Sequence, residues 1–514
     1  MTSLSDLLRE SAETYAQVPA ILTDAGVIDH RRFHRLAGDI AAGLAARGIE
    51  PGDRVALYAP NGAEFAIVYV GILLAGATVV PINLLINRPE ILHILNDSGA
   101  RGLVFHEALA EKVRDLAGQA GMLRWSARIV PAADPRIALG ELADAPAGVP
   151  PSPTIEAREH LAAILYTSGT TGFPKGAMLT HANLVANVRS VRHAMKWRPG
   201  LDRVLVVLPM FHAFAATVGM LTPLASGCAL IPMARFEPEA VAEAIARHRA
   251  SIFLGVPSMY AVLLRLREER ISQLRSLRFG IVGGAAMPVQ TLNQFEARFG
   301  IRLYEGDGPT ECSPVTCVNP IDGLAKPGTV GLPVPEVEMR IVDDAGRTLP
   351  DGEVGEIAVR GPNVMKGYWN QPEATAEVFR DGWLLTGDLG MRDADGYFSI
   401  VDRKKDLIIV NGMNVYPRMV EEVLYRYPGL REAAVVGEPH ALHGEVPVAY
   451  VALDPSGAGS EKALREHCRA WLGRHQVPRR FVVLDELPKN AAGKIMKREL
   501  RKQGEIERGI VGLG

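Results

Sequence analysis

Tyr166-Thr167-Ser168-Gly169-Thr170-Thr171-Gly172-Phe173-Pro174-Lys175-Gly176-Ala177 is a hydroxyl- and glycine-rich loop, entered from the apolar run 161–165 and ending in a lysine. Glycines let the backbone turn and approach an anion closely, exposed amides and Ser/Thr hydroxyls donate hydrogen bonds, and Lys175 adds positive charge. Such a loop is built to hold phosphate, and a polyphosphate nucleotide is its natural guest. The spacing departs from the Walker pattern, because Pro174 precedes the lysine and Gly176 follows it where Gly and Ser or Thr are required. Ordinary P-loop kinase chemistry is therefore not the first reading.

Outward from this loop, strand-like apolar runs recur between helical patterns at residues 55–58, 78–82, 162–166, 203–208, 251–255 and 277–282. Alternation of this kind predicts α/β layers with buried, mostly parallel strands. From 328 to 360 the texture changes to short strands with polar turns, a small β-rich subdomain. The segment Asp402-Arg403-Lys404-Lys405-Asp406 is too charged for a core and reads as a linker. Residues 402–514 carry 19 Lys+Arg against 15 Asp+Glu, a net +4, which leaves the preceding part at −6.

A chain of 514 residues predicts two or more domains, and with 48% hydrophobic residues a large core can form. A net charge of −2 gives no electrostatic case for nucleic acid or a strongly anionic membrane. Cys228, Cys312, Cys317 and Cys468 show neither a CxxC pair nor zinc spacing and read as reduced thiols, Cys312 included. Acidic residues in the first ten positions and the lack of an apolar h-region argue against a signal peptide, so a cytoplasmic protein is expected. The apolar stretch 65–86 is broken by Gly71, Gly76, Pro81 and Asn83, which predicts a buried helix and strand rather than a membrane span.

The loop at 166–177 resembles the phosphate loop of the adenylate-forming enzymes, the superfamily of acyl-CoA synthetases, amino-acid-activating domains and beetle luciferases. The resemblance runs in order through nearly the whole chain and points to the fatty-acid-CoA ligase branch. It implies an α/β N-terminal domain (1–401) of layered subdomains plus the small β-rich one, followed by a small mobile α+β C-terminal domain (402–514). Its implied substrates are ATP, a carboxylic acid and coenzyme A, with Mg²⁺. A homodimer and peripheral membrane contact are left open.

Activating a carboxylate with ATP brings two anions together, so cations, a metal and aimed donors must offset their repulsion. Thr167, Ser168, Gly169, Thr170, Thr171, Gly172 and Lys175 are the candidate phosphate ligands. Gly308-Pro309-Thr310-Glu311 matches the family's Gly-x-Thr-Glu motif: Thr310 on phosphate, and Glu311 with Thr170 on the metal, both counted as catalytic. Gly284 and Ala285 are expected beside the base. Asp307 stands where the family usually places an aromatic that stacks on adenine; it could accept from the adenine amino group or cap a turn. The resemblance gives Asp388 and Arg403 to the ribose, Lys405 to the hinge, and Lys494, in Asn490-Ala491-Ala492-Gly493-Lys494, the role of bridging carboxylate and α-phosphate. It also implies that the small domain swings between two half-reactions, presenting Asn411, Gly412 and Met413 to the thiol. Met419 replaces a more usual glutamate nearby.

Leu208-Pro209-Met210-Phe211-His212 matches the motif beside the acyl pocket. His212, rather than the aspartate that would pair with an ammonium, argues against amino acids and is read as orienting or gating. Phe214, Val218, Gly219, Ala285, Gly308 and Val315 are the candidate lining. A glycine at 308, where acetyl-CoA synthetases place a bulky aromatic, predicts an open apolar pocket for a medium- or long-chain fatty acid. An aromatic acid is the second choice, and a carrier protein as acceptor the third.

Overall fold

A computed structural model describes residues 2–116, 118–143, 153–167, 174–454, 460–490 and 493–507. Two mixed sheets dominate the first four hundred residues. One has nine strands, six of them parallel: Pro19–Thr23, Ala229–Pro232, Arg203–Val206, Ile252–Gly255, Phe279–Val282 and Arg302–Asp307. The other has seven, with Arg54–Tyr58, Thr78–Pro81, Gly102–His106, Trp125–Ile129 and Leu161–Thr167 parallel. Lys175–Thr180 and Gly367–Tyr368 extend its edge antiparallel.

Period-two alternation decides which face each side chain takes. In Arg54–Tyr58, Val55 and Leu57 join the large core while Ala56 and Tyr58 turn to a second cluster under helix Arg88–Ser98. The large core also takes helix Ala63–Leu74, which is apolar on all sides and buried on nearly all of them. The stretch 65–86 is thus a buried helix followed by strand Thr78–Pro81. Among the described residues no helix is long and apolar enough to cross a membrane.

A five-stranded sheet that includes Glu338–Val342, Gly355–Arg360 and Trp383–Arg392 forms the β-rich subdomain. The chain leaves it through strand Phe398–Arg403 and a single 3-10 turn, Lys404–Asp406. The remaining residues build a small α+β unit with its own, mostly antiparallel sheet and core. In Leu430–His440, Ala433 and Val435 face helices Pro417–Leu424 and Glu461–Trp471, while Ala434 and Val436 face Leu487 and Leu500.

Several strands of the two sheets lead into loops that can carry chemistry on a rigid frame. Thr167 ends one strand, Asp307 another, Gly283-Gly284 follow a third and Leu208 to His212 a fourth.

Candidate active site

The sequence-predicted groups at 388 and 403 meet directly. Strands Trp383–Arg392 and Phe398–Arg403 pair antiparallel with Asp388 opposite Arg403, and Arg403 Nε lies 3.1 Å from Asp388 Oδ1. Thr386, Gly387, Lys404 and Lys405 complete the lining of a cavity of about 370 Å³ around this pair. Asp388 raises the pKa of Arg403, with Asp307, Asp406 and Glu311 adding to it. Loss of solvent lowers that of Lys405, helped by Arg403.

Lys494 reaches the same cluster from the small domain. Its ammonium is partly enclosed, and its pKa falls to about 8, first from lost solvation and then from Arg403, while Asp388 and Asp307 oppose the shift. The loop is held against the large domain where Ser258 Oγ donates to the Gly493 carbonyl at 3.4 Å. Arg265 with Asp454 at 2.8 Å, and Arg418 with Glu305 at 4.0 Å, add two further links between the domains. Arg418 also donates to the Ile400 carbonyl, and its backbone N–H to Asp402 at 2.8 Å. Burial lifts the Glu305 pKa to about 7 against the pull of Arg418.

Asp307 sits among Asp388, Arg403 and Lys494, and enclosure followed by the Asp388 charge holds its pKa above the ordinary carboxylate range. It has charged neighbours of both signs and also accepts from the backbone N–H of Gly308.

Glu311 begins its own small constellation. The Tyr368 hydroxyl donates to Glu311 Oε1 at 2.7 Å, and the Lys175 ammonium lies 5.3 Å from the Tyr368 ring centre. Among the described residues no group of three or more His, Cys, Asp or Glu forms a metal cage. A single carboxylate with one oxygen outside this hydrogen bond fits Mg²⁺, which is usually held by one or two carboxylates with substrate phosphates completing its shell. Of the phosphate loop, Thr167 and Lys175 are in place; Ser168, Gly169, Thr170, Thr171 and Gly172 lie outside the described residues.

His212 keeps an accessible edge, yet the surrounding protein, and then Lys494, hold its pKa below the ordinary imidazole value. Its Nδ1 accepts weakly from the Phe214 N–H at 3.4 Å. The following turns form a π-helix, Ala215–Leu221, in which Val218 and Gly219 are buried. Pro223 offers no N–H to the Gly219 carbonyl, and the Thr217 carbonyl instead accepts the N–H and, at 2.8 Å, the hydroxyl of Thr222. Phe214 packs over Gly283, where a Cβ would come within 3.1 Å of its ring. Ala285 and Val315 are partly buried, and Gly284 faces the opening.

Gly308 requires a correction to the open-pocket expectation. A Cβ at this position would lie 1.7 Å from the Pro314 carbonyl oxygen and 2.9 Å from the Thr316 nitrogen. The residue is small because two backbone segments touch, and its missing side chain does not open space for substrate.

Asn411, Gly412 and Met413 are exposed and are not part of this cluster. Asn411 (φ 52°) and Gly412 (φ 78°) form the two-residue loop of a tight hairpin between Ile408–Val410 and Met413–Val415. Asn-Gly is the favoured pair for such a loop, a local reason for this glycine. Cys312 is buried with a raised pKa, chiefly from lost solvation, which leaves it inert.

Sequence reasoning missed Tyr368, Asn187 and Asn363. Asn187 Nδ2 donates to the Val315 carbonyl at 2.7 Å, and Asn363 Nδ2 to those of Cys312 and Val315 at 2.9 and 3.1 Å. These asparagines fasten the backbone that follows Glu311. A lone Asn or Tyr in a sequence carries no signal for such a task.

The cavity beside Asp388 and Arg403, the carboxylate of Glu311 and the lysine brought in by the small domain are the candidate parts of a nucleotide site. The chain belongs to the AMP-binding enzymes: that family's model matches residues 8–369, and the model of the AMP-binding enzyme C-terminal domain matches 419–494. A long-chain-fatty-acid–CoA ligase of Escherichia coli O6:H1 is 38% identical, over 98% of this chain and 94% of its own. A feruloyl-CoA synthase of Amycolatopsis sp is also 38% identical, over 93% and 94%. The ATP-bound crystal structure of MatB from Rhodopseudomonas palustris superposes with a TM-score of 0.90 at 33% identity, covering 98% of this chain and 99% of that one. The protein is an AMP-forming acid–CoA ligase of the acyl-CoA synthetase branch.

Proposed function

We propose that the enzyme converts a medium- or long-chain fatty acid to its CoA thioester through an acyl-adenylate. The observation that carries the chemistry is the arrival of Lys494 beside Asp388, Arg403 and Asp307 from a separate domain. In the first half-reaction a carboxylate oxygen attacks the α-phosphorus, and the bond to the β-phosphate bridging oxygen breaks to release pyrophosphate. Lys494 bridges carboxylate and α-phosphate, Lys175 and Thr310 hold phosphate, and Asp388 accepts from the ribose hydroxyls with Arg403 beside it. Mg²⁺ held by Glu311 would offset phosphate charge. In the second half-reaction the CoA sulfur attacks the acyl carbon, its proton is lost, and AMP leaves. The 3-10 turn at Lys404–Asp406 is a short connection suited to the intervening swing, with the hairpin at Asn411-Gly412 turning toward the thiol.

The fatty-acid preference is supported by similarity to a long-chain ligase along nearly the whole length of both chains. With Phe214 and Val218 as candidate lining, each methylene that the pocket buries would contribute about 0.8 kcal/mol. An equally identical feruloyl-CoA synthase favours aryl acids as the second choice. Use of ATP and CoA fits residence in the cytoplasm. AMP release with ATP, Mg²⁺ and CoA across acetate, octanoate, palmitate, benzoate and 4-coumarate, with mass spectrometry of the product, tests the choice. Octanoyl- or palmitoyl-CoA supports it, turnover confined to aryl acids replaces it, and adenylate without thioester redirects the search to a carrier protein.

The lowered Lys494 pKa sets a pH dependence. Its charged form is needed to neutralise the two anions, so kcat/KM for pyrophosphate exchange is expected to fall as pH rises through about 8. Thioester formation from supplied acyl-adenylate lacks that limb, and Lys494→Arg moves the limb to higher pH. At the base site, Asp307→Tyr is expected to give a KM for ATP no higher than wild type. A KM raised about tenfold, 1.4 kcal/mol, would instead assign Asp307 a specific contact with adenine.

A further inference from the structure

The segment that follows the β-rich subdomain's strand Gly355–Arg360 returns to the edge of the seven-stranded sheet as a short strap. Its Met365 N–H donates to the Glu311 carbonyl at 2.7 Å, its Lys366 N–H to the Met178 carbonyl at 3.0 Å, and its Trp369 N–H to the Gly176 carbonyl at 2.8 Å. Tyr368 pairs with Ala177 in register, and its own N–H donates to Thr375 Oγ1 at 2.9 Å. The strap thus ties the strand that begins at Lys175 to the turn that carries Glu311, two motifs separated by more than a hundred residues of sequence.

Tyr368 is the side chain that this strap places between them. It is only 9% exposed, its hydroxyl spends its proton on Glu311 Oε1, and one face of its ring lies under the Lys175 ammonium. Two consequences follow from the chemistry. A hydroxyl donating to one carboxylate oxygen limits the rotation of the carboxylate and leaves Oε2 outside that bond, free to meet a cation while the group stays ionised. A ring face attracts the ammonium through its quadrupole and limits where a flexible four-carbon stem can carry it. Left without this partner, Lys175 and Glu311 carry opposite charges within one cleft and could close on each other when no nucleotide separates them.

We propose that Tyr368 is a positioning residue for Mg·ATP, holding the metal-side carboxylate and the phosphate-side lysine apart and aimed. It touches neither reacting atom and acts through Glu311 and Lys175. The inference rests on the ATP-activating reading above and adds to it a named residue.

The test is ATP binding by isothermal titration calorimetry, with neither acid nor CoA present, at a series of Mg²⁺ concentrations and in EDTA. Loss of a partner that orients a metal ligand typically costs 10–100-fold in metal affinity. Tyr368→Phe, which keeps the ring and loses the hydroxyl, is expected to raise the half-saturating Mg²⁺ by about tenfold at the low end of that range. Its ATP affinity in EDTA and its melting temperature are expected to stay near wild type. An unchanged Mg²⁺ requirement in a folded Tyr368→Phe protein overturns the assignment. Tyr368→Leu removes the ring as well, and is expected to weaken ATP binding in EDTA too; equal EDTA affinities for the Phe and Leu variants overturn the Lys175 half. In a Glu311→Gln background, Tyr368→Phe is expected to have no further effect on Mg²⁺ dependence, whereas an additive loss overturns action through Glu311. Wild-type enzyme that binds no ATP would instead remove the ATP-activating reading itself, so the two failures are distinct.

Discussion

Lys494→Ala is expected to lower acyl-adenylate formation, followed as acid-dependent pyrophosphate exchange, by about 10²–10³-fold or more. Thioester formation from supplied acyl-adenylate is expected to continue at close to the wild-type rate. The asymmetry follows from where the charge is needed. Only the first half-reaction brings a carboxylate against a phosphate, and on the proposed function Lys494, next to Arg403, is the cation that the second domain delivers to that point. In the second half-reaction a thiol meets an anhydride, and no such pair of anions has to be held together. The partial enclosure that depresses the Lys494 pKa also strengthens its field at the phosphate, because less water is left to screen it. Equal loss of both half-reactions would mean that Lys494 supports the fold of the loop. The contact of Ser258 with the neighbouring Gly493 carbonyl involves no Lys494 side-chain atom and survives the substitution.

Gly308→Ala is expected to lower adenylation by about 10²-fold without changing which chain lengths are preferred. A methyl group at this position overlaps the Pro314 carbonyl oxygen, 1.7 Å away, so one of two backbones must move by more than an ångström. That backbone belongs to the turn following Thr310 and Glu311, which Asn187 and Asn363 fasten through the carbonyls of Cys312 and Val315. Overpacking at a tight site costs roughly 1–3 kcal/mol, and a misplacement of about 1 Å near the chemistry costs about 10²-fold in rate. The measurement is pyrophosphate exchange across a series of acids, beside the denaturant midpoint. Shortened chain preference with full stability would restore Gly308 to the pocket wall.

How much of this was legible in the sequence depended on the range of the signal. The buried strands were readable because continuous apolar runs are local: 203–208 was expected and Arg203–Val206 observed, 277–282 expected and Phe279–Val282 observed. Sheet order was not readable, since a chain does not announce that Arg203–Val206 lies between strands 229–232 and 252–255. The Asp388–Arg403 meeting was implied by family resemblance and appears as an antiparallel register. The π-helix at Ala215–Leu221 and the Tyr368 strap escaped detection because each depends on which carbonyl a distant or shifted donor reaches. Gly308 was misjudged for the same reason: a glycine reports that space is missing or present only when its neighbour is known, and that neighbour is Pro314. Gly412 illustrates the reverse, since the Asn-Gly pair alone was a hairpin signal that a purely functional assignment overlooked.

Among the described residues, the two core clusters on the faces of the small domain's sheet are made of residues from the stretch 408–500 alone. On the proposed function, acid choice and the activating lysine therefore reside on separate pieces of chain. A hybrid joined at the Lys404–Asp406 turn would take its acid preference from one parent and its lysine from the other. Compatibility would be decided along the seam, where Ser258 meets Gly493, Arg265 meets Asp454 and Glu305 faces Arg418. Mismatched parents would be expected to yield well-folded proteins whose two halves bind their substrates but turn over slowly, a defect of coordination that matching those few residues would repair.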